Sequence, residues 1–148
     1  MNTGDLCEDG WTFNDASFKC YKYVKKTTSW SEANRECQSM IPVTQPPALP
    51  ITRGHLASIR DEAENTFVAG LIEANSDAWL GGTKLRDGTW TWTDGAKWTF
   101  SNWRWDVCHQ NGKEDSLSIK ANGDWNDAGF SWLLSGYVCQ YLNLNQFT

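Results

Sequence analysis

Apolar residues alternate with polar ones from Trp11 and Phe13 through Cys20-Tyr21-Lys22-Tyr23-Val24, with Gly10 and Asn14-Asp15 as turn signals. That period of two predicts a short N-terminal hairpin. The spacing then lengthens: Trp30, Ala33, Cys37 and Met40 fall on one helical stripe. They follow Ser29-Trp30-Ser31-Glu32, whose Ser and Glu have capping-box spacing, so a helix is predicted with Cys37 on its buried face. Ile41 to Arg53 holds all four prolines, at 42, 46, 47 and 50. Proline removes backbone donors and favours extended chain, so this is expected to be a surface loop; a proline-rich ligand for an SH3-like partner is the rarer use of such a run. A second helix is predicted from Ser58 or Asp61, with Asp61 and Glu64 at capping spacing and Ala63, Phe67 and Leu71 on one stripe. From Trp79 the period returns to two, in Trp79-Leu80, Trp90 and Trp92, Trp98 and Phe100, Leu117 and Ile119, and Val138 among Tyr137 and Tyr141. Asp87-Gly88, Asp94-Gly95 and Asn122-Gly123 supply the tight turns between them. Two helices followed by short antiparallel strands predict an α+β fold.

At 148 residues the chain fits one domain, 1–148, with a single core. Ten tryptophans and an aromatic content of 14% make indole a main core material. No apolar run approaches the roughly 20 residues of a membrane span. A net charge of -5 leaves no basic footprint for nucleic acid. The five cysteines, at 7, 20, 37, 108 and 139, include no C-x-x-C pair, so disulfides in an oxidising compartment explain them better than zinc or redox chemistry. Met1-Asn2-Thr3-Gly4 has no leader character, and a mature secreted chain is expected over a cytosolic one with five thiols.

The chemistry concentrates between Glu114-Asp115-Ser116 and Trp125-Asn126-Asp127, where carboxylate and amide oxygens gather around a short strand and a tight turn. Ca²⁺ takes six to eight oxygen ligands. Glu114, Asn126 and Asp127 offer three side chains, and the Asp127 carbonyl adds a fourth oxygen source. The preceding loop, 103–113, is poorer in hard oxygens, because thiol and imidazole at Cys108 and His109 suit such an ion badly. An enzyme reading of Cys108-His109 fails on geometry, since sequence neighbours point apart in extended chain while a nucleophile and its base must meet. Zinc held by Asp106, Cys108 and His109 has no recognised spacing.

The order of motifs resembles the C-type lectin-like domain across residues 7–141. The matching elements are Cys7 with Trp11, Cys20-Tyr21, Trp30-x-x-Ala33-x-x-x-Cys37, Leu56-Ala57-Ser58-Ile59 with Glu64, Trp79-Leu80-Gly81-Gly82, Gly88-Thr89-Trp90-Thr91-Trp92-Thr93-Asp94-Gly95, Asn102-Trp103, Gly123-x-Trp125-Asn126-Asp127 and Tyr137-Val138-Cys139. The resemblance implies two helices packed on short antiparallel sheets with a long irregular ligand loop. It also implies the long-form disulfides Cys7 to Cys20 and Cys37 to Cys139. Glu114, Asn126 and Asp127 match residues that ligate calcium and hydrogen-bond sugar hydroxyls in the family, and Asp106 stands nearest to the first carboxylate of the sugar-reading triplet. The stretch where that triplet should fall reads Asp106-Val107-Cys108-His109, with no proline. The family's second internal bridge is also missing, its two positions being Ser116 and Phe130, which predicts a looser loop.

The resemblance implies buried roles for Trp11, Trp30, Trp79, Trp90, Trp92, Trp103 and Trp125, whereas Trp105 and Trp132 match nothing in the pattern. An exposed indole at either place would stack on a sugar face or anchor a protein. Cys108 is left over once the other four pair, and an odd cysteine in a secreted chain suggests an interchain bridge and a homodimer. The expectation is a secreted, nonenzymatic, carbohydrate-binding module. Its site is placed at Trp105, Asp106, Glu114, Asn126 and Asp127, and Ca²⁺ is held by the last four. The alternative is a calcium-independent domain that binds a protein partner through an aromatic patch.

Overall fold

A computed structural model describes residues 7–40, 54–104 and 115–142. The N-terminal hairpin forms as β1 (Thr12–Asn14) and β2 (Lys19–Val24). Helix α1 (Trp30–Ser39) starts where the Ser29 side chain accepts the Glu32 backbone N–H at 3.3 Å. A short β3 (His55–Leu56) precedes α2 (Glu62–Ala69), which is capped by Asp61 accepting from the Glu64 N–H at 2.9 Å. The reciprocal half of each capping box goes elsewhere: Glu32 pairs with Arg35, and Glu64 turns inward. Strands β4 (Asp77–Lys84), β5 (Trp90–Trp92), β6 (Ser116–Lys120), β7 (Trp125–Ala128) and β8 (Tyr137–Leu142) complete the α+β arrangement.

The main path of the sheet runs β1-β2-β8-β4-β6-β7, with β3 joined to β8 and β5 to β4. Not every pairing is antiparallel, as the sequence had led us to expect: β4 meets β8 in parallel at Trp79 and Tyr137, which makes the sheet mixed. Cys7–Cys20 and Cys37–Cys139 are bridged, with Cα separations of 5.8 and 5.4 Å. The first closes the N-terminal hairpin and the second ties α1 to β8.

Two further expectations need correction. Trp98 and Phe100 alternate without being in a strand; both rings instead meet Trp125 edge-on at 5.7 Å, so their spacing reflects a shared target and not a ladder. The buried side of α2 is Glu64, Asn65, Val68 and Ala69, while Ala63 is exposed and Phe67 half-buried. Two polar residues displace the apolar stripe because each finds a distant partner, a relation that local periodicity does not carry. The core divides into one cluster around Trp92, Leu117, Ile119 and Trp125, and another around Trp79, Cys37, Tyr137 and Cys139 beneath α1.

Candidate functional site

Strand β7 is the outer strand on its side of the sheet and pairs only with β6 on the sheet path, setting Leu117 opposite Asp127 and Ile119 opposite Trp125. Among the described residues its other edge is held at one point. The Trp125 N–H donates to the Asn102 carbonyl at 2.9 Å, and the Trp125 carbonyl accepts from the Arg104 N–H at 3.0 Å. In an antiparallel pair the direction of backbone groups alternates residue by residue. Trp125 faces outward, Asn126 faces β6, and the Asp127 N–H and carbonyl therefore face outward again, on the edge that Arg104 lines.

Asp127 is 1% exposed, and among the described residues neither carboxylate oxygen has a hydrogen-bond partner. Burying a carboxylate without a partner is costly, and proteins normally supply a hydrogen bond, an opposite charge or a metal. The neighbouring Asn126 is half-buried, its carbonyl accepting from the Ser118 hydroxyl at 3.0 Å. Opposite the far end of β7, the Asp115 carbonyl accepts from the Lys84 N–H at 2.9 Å and from the Thr83 hydroxyl at 3.2 Å. These bonds anchor the chain where it enters β6. Trp105, Asp106, Cys108, His109 and Glu114 lie outside the described residues, so of the expected ligands the fold places Asn126 and Asp127. Two orphaned, buried, hard oxygens beside an outward-facing carbonyl fit Ca²⁺ chemistry.

Of the tryptophans expected to be buried, Trp79, Trp92 and Trp125 are, while Trp11, Trp30, Trp90 and Trp103 are partly buried against the core. Trp132 is 51% exposed and sits between Phe130 at 52% and Leu133 at 67%. The turn that carries them is fixed: the Trp132 N–H donates to the Gly129 carbonyl at 3.0 Å, and the Trp30 N–H donates to the Phe130 carbonyl at 3.2 Å. A Cβ at Gly129 would come 2.6 Å from the Trp132 Nε1, so a larger residue there would displace the half-exposed indole. Of the two positions where the family's second bridge would lie, Ser116 is buried and Phe130 points into solvent.

Sequence reasoning missed a second polar centre. Glu64, 2% exposed, accepts from Lys19 Nζ at 2.8 Å, from the Arg60 N–H at 2.6 Å and from the Tyr21 hydroxyl. Lys19 also reaches the Ser58 carbonyl and hydroxyl at 3.0 Å each, while Asp94 accepts from Ser58 at 2.5 Å and from Gln140 at 2.7 Å. Burial pushes the Tyr21 phenol far up, and the Glu64 charge adds to it. The network floors a cleft of about 450 Å³. A larger cleft of about 720 Å³ lies at the Lys120 end of β6 and includes neither Asn126 nor Asp127.

The sequence profile described as "Lectin C-type domain" matches residues 26–141. A lectin of Pleurodeles waltl is 30% identical over 146 residues, covering 93% of this chain and 77% of the relative. Mouse asialoglycoprotein receptor 2 is 29% identical across 94% of this chain, which spans only 43% of that receptor. Among solved structures, the carbohydrate-recognition domain of cow CD23, crystallised in the presence of a GlcNAc2Man3 oligosaccharide, superposes with a TM-score of 0.75 at 26% identity, covering 92% of this chain and 95% of that one. With the motif order, the mixed sheet and the paired disulfides already established, the chain belongs to the C-type lectin domain family.

Proposed function

We propose that this domain is secreted and recognises carbohydrate through a Ca²⁺ ion held at the outer edge of β7. The observation that carries this reading is the buried Asp127 carboxylate, both of whose oxygens are unpartnered among the described residues. Asp127 and Asn126 would hold the ion together with Asp106 and Glu114, and Trp105 would stack on the sugar. A bound cation there supplies positive charge against which vicinal hydroxyls pack, while the fixed side chains orient them. Family membership supports the sugar-binding class, and the oligosaccharide named with the cow CD23 structure is of that class. The test is calorimetric titration with Ca²⁺, followed by a panel of methyl β-D-galactoside, α-D-mannoside and N-acetyl-β-D-glucosaminide with and without EDTA. Chelator-sensitive binding of at least one glycoside supports the proposal; absence of Ca²⁺ binding overturns it.

A second reading rests on the exposed trio Phe130, Trp132 and Leu133, which would anchor a protein partner without calcium. Under it the titration is silent and the glycosides do not bind. A homodimer bridged through Cys108 fits either reading, and would run as a dimer on non-reducing gels and as a monomer after Cys108→Ser.

A further inference from the structure

Asn65 occupies a buried position on α2 that is 60 residues from Trp125 in sequence, and its side chain reaches the strand that carries Asp127. Its Oδ1 accepts from the Trp125 Nε1 at 2.7 Å, and its Nδ2 donates to the Gly123 carbonyl at 3.0 Å. An indole N–H only donates and a carbonyl only accepts, so the amide has one satisfying orientation and uses both ends. Aspartate would set a carboxylate oxygen against the Gly123 carbonyl, and leucine would leave the indole N–H buried without an acceptor.

The Gly123 carbonyl takes a second donor, the Asn102 Nδ2 at 2.7 Å. Gly123 itself has φ +97°, and a Cβ there would lie 3.2 Å from the Asn65 Nδ2, so glycine serves both the turn and the close approach. The turn before β7 is thus gripped by amides from two sides, α2 and the segment leading to Arg104. The Trp125 ring is then boxed by Trp92, Trp98, Phe100 and Trp103, all edge-on at 5.6 to 5.9 Å. None of those apolar contacts fixes the rotation of the indole about its own plane as a directed hydrogen bond does. The helix that supplies the acceptor is itself immobilised one residue earlier, where Glu64 holds Lys19 and Tyr21.

From this geometry we infer that Asn65 is a positioning residue for the ion-binding edge, resting on the calcium reading above. By locking Trp125 it sets the orientation of β7 over the next two residues, a distance of about 6.6 Å at strand rise. That orientation aims the Asp127 carboxylate and its outward carbonyl relative to the chain entering at Arg104. Among the described residues Asn65 bonds to Trp125 and Gly123 and not to Asn126 or Asp127, so it acts through Trp125.

The experiment compares Ca²⁺ affinity by calorimetry, and melting in EDTA, for wild type, Asn65→Leu and Val68→Ala, the last being a buried apolar truncation on the same helix. Asn65→Leu is expected to weaken Ca²⁺ at least tenfold while remaining folded, with Val68→Ala within twofold of wild type. Trp125→Phe, which removes the same N–H from the other side, is expected to reproduce the loss, and the double variant to lose no more than either single one. If Asn65→Leu does not fold, Trp125→Phe alone carries the test. Unchanged affinity in the folded variants, or an equal loss in Val68→Ala, overturns the positioning role while leaving the calcium site standing. A wild type that binds no Ca²⁺ overturns both.

Discussion

Two carboxylates are buried to nearly the same degree, Glu64 at 2% and Asp127 at 1% exposure, and their surroundings are opposite. Glu64 is saturated by an ammonium, a phenol and a backbone N–H. Asp127 has no partner on either oxygen among the described residues. A carboxylate closed by internal donors is a structural element, whereas one left open at a sheet edge is, on the proposed calcium reading, the acceptor for a cation. Burial alone does not separate the two roles, but partner accounting does.

The contrast can be broken from the Glu64 side first, where the largest effect is expected. Glu64→Gln leaves Lys19 buried without its counter-charge, and removing one member of a buried pair costs about 3–5 kcal/mol. Melting should fall by on the order of 10 °C, in EDTA and in Ca²⁺ alike. A fall of a degree or two would mean that Lys19 finds water and that the network is not closed. Next comes Asp127→Asn. For the wild type, Ca²⁺ at a hundred times its Kd should add about 2.7 kcal/mol to stability. The variant should show no such gain, while melting in EDTA no lower than wild type, because the isosteric Asn loses no hydrogen bond that the described residues make to the carboxylate. A calcium-induced shift that survives in Asp127→Asn would place the ion elsewhere.

Absent at neutral pH and growing only in alkali is the effect of proton loss from the buried phenols. Tyr21 and Tyr141 are raised by burial, and Tyr137 is pushed up to about 12 by burial and then by Glu36. An acid whose folded pKa lies above its unfolded value, here near 10, stabilises the fold below that value and loses the contribution as pH rises through the folded one. Melting temperature should be insensitive to these groups up to about pH 10 and fall between there and 12. A decline that begins two units lower would assign alkaline sensitivity to other groups.

Much of this architecture was legible in sequence because its causes are local. Both helix starts follow from Ser29 and Asp61, whose caps close within three residues. The Asn122-Gly123 turn and the Leu117 and Ile119 alternation likewise belong to short-range geometry. What stayed hidden was long-range. Glu64 and Asn65 look like solvent-facing helix residues until Lys19 and Trp125 arrive from distances of 45 and 60 residues. The site shows the same division. The residue types at Asn126 and Asp127 were readable through the family resemblance, but that the described residues leave the Asp127 carboxylate without a hydrogen bond shows only in the folded chain.

The pairing of β2 with β8 has a mechanical consequence. Lys19 opens β2 and lies opposite Leu142 at the close of β8, and Cys7, where the described residues begin, is bridged to the adjacent Cys20, so the two ends of the described core lie at one corner. Tension applied between those two points would peel the ladder like a zipper, one rung at a time. The Cys37–Cys139 bond stands three residues in from Leu142 and acts as a stop, with everything beyond it shielded from the load. A domain joined to a longer polypeptide or a surface at that corner can therefore transmit a pull while the edge carrying Asp127 stays slack.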